Sequence, residues 1–150
     1  MAKEQATSAF TLTLTRTFAA PRDKVFLAWT DARQLAAWFL PGPGFSARVA
    51  ELDLRIGGRY RLQITHPGGE IHEVTGIYRE ISAPQRLAFT WRWTHDPENQ
   101  EMMVTLDFRD LGPSTEMTLT HALLPSQQER DKHSHGWNGC LNQLATFLQS

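Results

Sequence analysis

The chain has little cysteine, no long apolar run and no excess of charge of one sign. A single cysteine, Cys140, excludes an internal disulfide, so the cytoplasm is the expected compartment. No apolar stretch approaches the ~18 residues that a membrane-spanning helix needs, and residues 1–8 lack the apolar core of a signal peptide. The formal net charge of −1, with arginines interspersed among acidic residues, argues against a nucleic-acid partner. We therefore expect a cytoplasmic protein that neither inserts into membranes nor binds nucleic acid.

Several catalytic and phosphate-binding motifs are also missing from the sequence. There is no glycine-rich phosphate loop, no Gly-x-Ser-x-Gly elbow and no convincing pairing of a nucleophile with a base. No cofactor is therefore expected, and no residue is assigned as catalytic. A length of 150 residues predicts one domain over residues 1–150, with residues 1–8 as a disordered tail.

Most of the chain alternates apolar and polar residues in short segments separated by Gly/Pro turns, which is typical of antiparallel strands. Gly76 interrupts the phase of one segment and predicts a bulge there. Between the first two segments, Val25, Phe26 and Trp29 have helical spacing, and Asp31 is a plausible N-cap for a second short helix. The predicted strands are Phe10–Phe18, Phe45–Leu54, Tyr60–Ile64, Ile71–Ile81, Leu87–Trp93, Met102–Phe108 and Met117–Leu119.

The C-terminal segment predicts one long amphipathic helix. Ser126 with Glu129 fits a capping box at its start. About 22 residues follow, and at ~1.5 Å per residue they span ~33 Å, which is enough to cross a sheet. The apolar stripe of this helix contains Trp137, Leu141, Leu144 and Leu148, with Cys140 on its flank as a small buried hydrophobe.

Two histidines on this helix invite a metal interpretation, but their spacing opposes it. His133 falls inside the apolar stripe, whereas His135 lies on the opposite face. Side chains at i and i+2 of a helix point ~200° apart and cannot share one ion. No metal site is therefore predicted.

Three polar residues occupy apolar phases on separate elements: Arg16, His121 and His133. A polar group that points inward must be hydrogen-bonded or face water. Either each is satisfied locally, or together they mark a wet or ligand-filled cavity. Gly136, at the edge of the helix stripe, is open to two explanations, close approach of helix and sheet or room for a ligand. Gly139 falls on the outer face without an evident role.

Ordered strings along nearly the whole chain resemble one family. They are Arg16-Thr-Phe-Ala-Ala-Pro21, Ala28-Trp-Thr-Asp31, Gly57-Gly-Arg-Tyr60, Gly76-Ile-Tyr-Arg-Glu-Ile81, Arg86-Leu-Ala-Phe-Thr-Trp91, His121 and Gly136-Trp-Asn-Gly-Cys-Leu141. Together they are similar to the heat-shock-protein-90 ATPase activator homologue family of the START-like (SRPBCC) superfamily. The resemblance implies an α+β helix-grip fold. In that fold a curved antiparallel sheet of six or seven strands grips a long C-terminal helix over a largely apolar cavity, with two short helices after the first strand.

Three functions follow as hypotheses. The first is binding of a small apolar or amphipathic ligand between sheet and helix. The second is a cyclase or lyase with His121 or His133 as general base. The third is a regulator of a chaperone ATPase, although the family's co-chaperone also uses an N-terminal domain for which this chain has no room. A monomer or homodimer is expected. The predicted ligand-binding residues are Arg16, Trp38, Tyr60, Tyr78, Trp91, Met117, His121, His133, Trp137 and Leu141.

Overall fold

The computed structural model describes residues 9–98 and 100–150. The predicted tail at residues 1–8 lies outside the described part. Seven strands and three helices follow in the order β1 (Phe10–Phe18), α1 (Arg22–Thr30), α2 (Ala32–Trp38), β2 (Ser46–Leu52), β3 (Arg59–Thr65), β4 (Ile71–Ser82), β5 (Arg86–Trp93), β6 (Met102–Asp110), β7 (Thr115–Leu124) and α3 (Gln127–Leu148).

The strands form one antiparallel sheet in the order β1-β7-β6-β5-β4-β3-β2. Strands β2 to β7 form consecutive antiparallel pairs, and β1 pairs with β7 at the other edge. The two short helices carry the chain from one edge of the sheet to the other. The sheet curves around α3, as the predicted α+β helix-grip fold requires, and that fold is confirmed.

The predicted helix starts are also found. The Asp31 carboxylate accepts a hydrogen bond from the Gln34 backbone N–H at 3.1 Å and so caps α2. The Ser126 hydroxyl accepts from the Glu129 N–H at 3.1 Å and caps α3. Each cap satisfies one of the four donors that a helix start leaves free. Helix α3 has 22 residues, as its periodicity predicts.

The predicted bulge at Gly76 is wrong in position. Pairing of β4 with β5 slips between Tyr78 and Glu80, three residues later. Gly76 keeps its register, and it has another role, because a Cβ there would overlap the carbonyl oxygen of Thr90. The phenol of Tyr60 crosses the same point and donates to that oxygen. Gly76 therefore permits close packing rather than a kink.

The core lies between the concave face of the sheet and the helices. Helix α3 contributes Trp137, Cys140, Leu141, Leu144 and Leu148, all buried. Burial raises the pKa of the Cys140 thiol, so the sulfur is a packing group rather than a nucleophile.

Candidate functional site

The second half of α3 packs its buried side chains against the core. A small interior cavity between the two short helices and strands β3–β5 has a volume of ≈ 20 Å³. That is room for about one water molecule, whereas pockets for small molecules measure ~300–1,000 Å³. Three residues predicted to bind a ligand, Tyr60, Tyr78 and Trp91, lie around this cavity. This cavity therefore does not have ligand size.

A larger opening lies at one end of the fold, beside the first half of α3. This groove has a volume of ≈ 740 Å³. Four segments enclose it: the Pro41–Phe45 loop, the β3–β4 hairpin, the β5–β6 connection and α3 from Glu129 to Gly136. Its size matches that of small-molecule pockets.

One wall of the groove is a row of aromatic rings. Ring centroids are 4.8 Å apart for Phe45 and His66, and 4.4 Å apart for His66 and His72. His72 and His95 stack at 4.4 Å, and Trp93 lies 5.6 Å from His95. Aromatic rings offer large apolar contact surfaces together with polar edges. This aromatic wall could therefore contact a flat or aliphatic ligand along its length.

The opposite wall comes from α3. Lys132 and Glu129 form an ion pair with an N···O distance of 3.2 Å at the groove. Gly136 lies beside them, and a Cβ added there would have no neighbour within 4 Å. Close helix–sheet approach therefore does not explain Gly136, and its missing side chain leaves room in the groove.

Gly139 is the glycine of close approach. A Cβ at this position would overlap the carbonyl oxygen of Pro41. The Pro41–Phe45 loop therefore rests directly on the α3 backbone. This contact holds the loop at the groove edge, and it gives Gly139 the role that the sequence did not reveal.

His133 reaches the groove, but both of its ring nitrogens are occupied. The Trp93 indole N–H donates to Nε2 at 3.0 Å. Because Nε2 accepts, the neutral ring carries its proton on Nδ1, which donates to the Glu129 carbonyl at 2.8 Å. Burial lowers the pKa of His133, and the Glu129 contacts oppose that shift only in part. His133 thus has no free lone pair with which to accept a substrate proton.

His121 lies behind His133 and is fully buried. The Trp137 indole N–H donates to its Nδ1 at 3.0 Å, which leaves Nε2–H 3.4 Å from the sulfur of Met102. Burial, with a smaller contribution from nearby His133, lowers the pKa of His121 to about 3. His121 is therefore a neutral core residue with both nitrogens in contact, and it does not line the groove.

Arg16 lies in β1, away from the groove. Its guanidinium donates to the side-chain oxygens of Asn142 at 2.9 Å and Asn138 at 3.1 Å. These bonds join β1 to the outer face of α3. Arg16 therefore occupies an apolar position of the strand pattern because its side chain connects β1 to α3.

The other predicted site residues belong to the core. Trp38 donates from its indole to the Ala28 carbonyl at 2.8 Å. Met117, Trp137 and Leu141 are buried. Trp91 is also buried, and its indole N–H has no partner among residues 9–98 and 100–150. Of the predicted ligand-binding residues, the structure places His133 on the groove.

The groove residues that the sequence interpretation missed carried two recognisable signals. His66 and His72 flank a Pro-Gly-Gly turn, so hairpin pairing brings them together. Trp93 ends β5 and His95 follows it by two residues, in the turn, so the two rings are close in sequence as well as in space. Phe45 carries no comparable signal, because its place depends on the loop that rests on Gly139.

Within residues 9–98 and 100–150, no three His, Cys, Asp or Glu side chains are arranged to hold a metal ion. No helix in the described ranges is both long and apolar enough to span a membrane.

Comparison with known proteins places the chain in a family. The profile of the family described as Activator of Hsp90 ATPase homolog 1-like protein matches residues 19–149. A comparison with curated protein sequences finds no match.

Solved structures agree with that match. A Chromobacterium violaceum protein has a TM-score of 0.86 at 28% identity, with 93% of this chain and 97% of that one covered. The AHSA1 protein from Silicibacter pomeroyi has a TM-score of 0.81 at 26% identity, over 93% and 98% of the two chains. The profile match spans most of the chain, and the fold is the START-like grip. The protein therefore belongs to the Activator of Hsp90 ATPase homolog 1-like family.

Proposed function

We propose that this protein binds a small, mainly apolar ligand in the groove beside the first half of α3. Membership of the family supports a ligand-binding or co-chaperone-like domain in general. The observation that carries the finer proposal is the contrast in volume, ≈ 740 Å³ in the groove against ≈ 20 Å³ in the interior. A ligand of ordinary size fits the first space and not the second.

The lining of the groove indicates what kind of ligand would be held. Phe45, Ile64 and Trp93 supply apolar surface, and Lys132 and His135 add polar groups near the rim. Small-molecule sites typically combine a mostly apolar wall with a few polar groups that fix orientation. A compact molecule with an apolar body and one polar end suits this lining.

Catalysis by an inward histidine is disfavoured by the hydrogen bonds already described. A general base must reach the proton it removes with a free lone pair. His121 does not line the groove, and His133 would first have to lose its bond from Trp93. Binding without chemistry requires no such rearrangement.

A co-chaperone role finds no specific support in the surface. The formal net charge is −1, and four arginines of the sheet pair with acidic neighbours: Arg61, Arg86, Arg92 and Arg109. Such a surface would steer a charged partner weakly. A change in chaperone ATP turnover on mixing would nevertheless favour this alternative.

The test is a fluorescence titration with anilinonaphthalene sulfonate, followed by competition with medium-chain fatty acids and small aromatic acids. Saturable binding to the folded protein is expected. Gly136→Leu should weaken it at least tenfold, because the new side chain would occupy the open space over Gly136.

Thr146→Leu is the matched control, since it places a leucine at an exposed position of the same helix. Its affinity should equal that of the parent protein. The proposal is contradicted if no panel member binds, or if Gly136→Leu and Thr146→Leu bind with the same affinity.

A further inference from the structure

Two histidine nitrogens face each other on the β3–β4 hairpin. His66 follows β3, and His72 lies in β4, where it pairs with Ile64. The hairpin pairing continues to His66, whose backbone N–H donates to the Glu70 carbonyl at 2.7 Å, so residues 64 and 66 face the same side of the sheet. His66 and His72 therefore meet diagonally across the hairpin, and both line the groove.

The separation of these nitrogens suits a shared metal ion. His66 Nε2 and His72 Nδ1 are 3.1 Å apart. Two imidazole nitrogens bound to one tetrahedral Zn²⁺, each at ~2.0–2.1 Å, would lie about 3.3 Å apart. The ligand pair would thus need to shift by only a few tenths of an ångström.

Glu70 fixes the correct tautomer of His72. Its carboxylate lies 3.1 Å from His72 Nε2, which therefore donates and leaves Nδ1 with the lone pair. A carboxylate behind a ligand histidine is the usual outer-shell arrangement of protein metal sites.

His66 can adopt the tautomer that a metal needs. Without a metal, its Nε2–H donates to the lone pair of His72 Nδ1, since the other nitrogen of His72 is committed to Glu70. Moving that proton to Nδ1 of His66 frees Nε2 and leaves the ring neutral. Both facing nitrogens would then present lone pairs to one cation.

The surroundings leave room for further ligands. The ring of His95 stacks on His72 with an interplanar angle of 27°, so its nitrogens do not converge on the same point. Remaining coordination positions would face the groove and take water or a polar group of a bound molecule. Asp96 and Glu98 on the β5–β6 connection line the same groove and add negative charge to it.

We propose that His66 Nε2 and His72 Nδ1 form an exchangeable site for a divalent transition-metal ion on the wall of the groove. Imidazole is a good ligand for Zn²⁺, Ni²⁺ and Cu²⁺, and affinity for such a site is highest for Cu²⁺. Glu70 is a positioning residue in this site. The site is independent of the proposed ligand binding, because it needs no organic molecule.

The experiment titrates the full chain with Cu²⁺ and Zn²⁺ by calorimetry in a buffer that does not bind metals. Electron paramagnetic resonance of the Cu²⁺ sample then identifies nitrogen ligands. One equivalent of bound metal and a two-nitrogen signal are expected. His66→Ala and His72→Ala should each weaken binding at least tenfold, and Glu70→Gln about tenfold or more.

His135→Ala is the control, because His135 lines the same groove from the other wall. It should bind metal as the parent does, and circular dichroism should show all variants folded. The proposal is overturned if the His66→Ala/His72→Ala double variant keeps the parent affinity, or if His135→Ala alone abolishes binding. Unchanged affinity in Glu70→Gln would overturn the positioning role of Glu70.

Discussion

The two halves of α3 cover the same sheet in different ways. From Trp137 to Leu148 the helix buries a continuous stripe against the core, and the small interior cavity of ≈ 20 Å³ lies instead between the two short helices and strands β3–β5. From Glu129 to Gly136 it forms one wall of a groove of ≈ 740 Å³. One regular helix therefore both seals a core and borders a site.

The difference arises from what each half meets. The second half meets the inward side chains of the sheet, as the indole of Trp137 does when it donates to His121. The first half faces a hairpin and two connections, whose rings line the groove without filling it. Gly136 adds to the opening, while Gly139, one turn later, is in close contact with the Pro41 backbone. A packed helix thus becomes a groove wall within about one turn.

Shortening a buried side chain in the second half of α3 should have the largest effect on stability. Leu141 is fully buried, and Leu141→Ala should cost about 2–5 kcal/mol of unfolding free energy through lost contacts and the cavity left behind. Phe45→Ala, on the half-buried groove wall, should cost clearly less. Urea denaturation of both variants measures the difference. Equal losses would remove the distinction between the two regions.

Low pH should destabilise the folded protein through His121. The pKa of His121 falls from an ordinary value of ~6.5 to about 3 in the fold. Between those values the unfolded chain binds a proton that the folded chain does not, so stability falls as pH decreases. The slope contributed is up to about 1.4 kcal/mol per pH unit.

His121→Gln should flatten this dependence between pH 6.5 and 4, since an amide can still accept from Trp137 but does not titrate. His135→Gln, at an exposed position, serves as the control for exchanging a histidine for a glutamine. Urea denaturation across that pH range provides the measurement. An identical slope in parent and His121→Gln would contradict the buried, neutral state of His121.

The two α3 glycines should respond in opposite directions to alanine. Gly139→Ala forces a methyl group against the Pro41 carbonyl and should destabilise the fold by about 1–3 kcal/mol. Gly136→Ala meets open space and should stabilise the helix by up to about 1 kcal/mol. Thermal melting of the pair checks the signs. Destabilisation by both would show that Gly136 is also a packing glycine.

Removal of the Arg16 side chain should have the smallest effect on stability. Its two hydrogen bonds to Asn138 and Asn142 lie on the exposed outer face of α3. Arg16→Ala should cost about 1 kcal/mol or less and leave binding in the groove unchanged. Titration with anilinonaphthalene sulfonate checks the second point. A large loss of affinity in Arg16→Ala would show that Arg16 belongs to the ligand site.

Local patterns were sufficient to predict the strands and helices, and the family resemblance implied how they are arranged in the fold. Alternation along the chain predicts the strands, and Asp31 and Ser126 predict the starts of α2 and α3. Each of these signals depends on residues close in sequence, where helix and strand periods act directly. The error at Gly76 has the same origin, because its role depends on Tyr60 and Thr90, which lie on other strands.

The site was harder to predict, because inward polar residues do not distinguish a cavity from a satisfied core. His121 and His133 do point inward, but each finds an indole partner, Trp137 and Trp93 respectively. Those pairings join residues 16 and 40 positions apart, and no periodicity encodes them. The groove itself depends on how two connections and a hairpin are placed in space.

The most direct test of the account follows the five tryptophan indole N–H signals by NMR while the protein is titrated with anilinonaphthalene sulfonate. Trp93 borders the groove, whereas Trp29 and Trp91 line the interior cavity, and Trp38 and Trp137 are buried. The account predicts that the Trp93 signal shifts first and furthest, and that the Trp29 and Trp91 signals change little. A large shift of Trp29 and Trp91 with an unmoved Trp93 would place the ligand inside the grip and contradict the account.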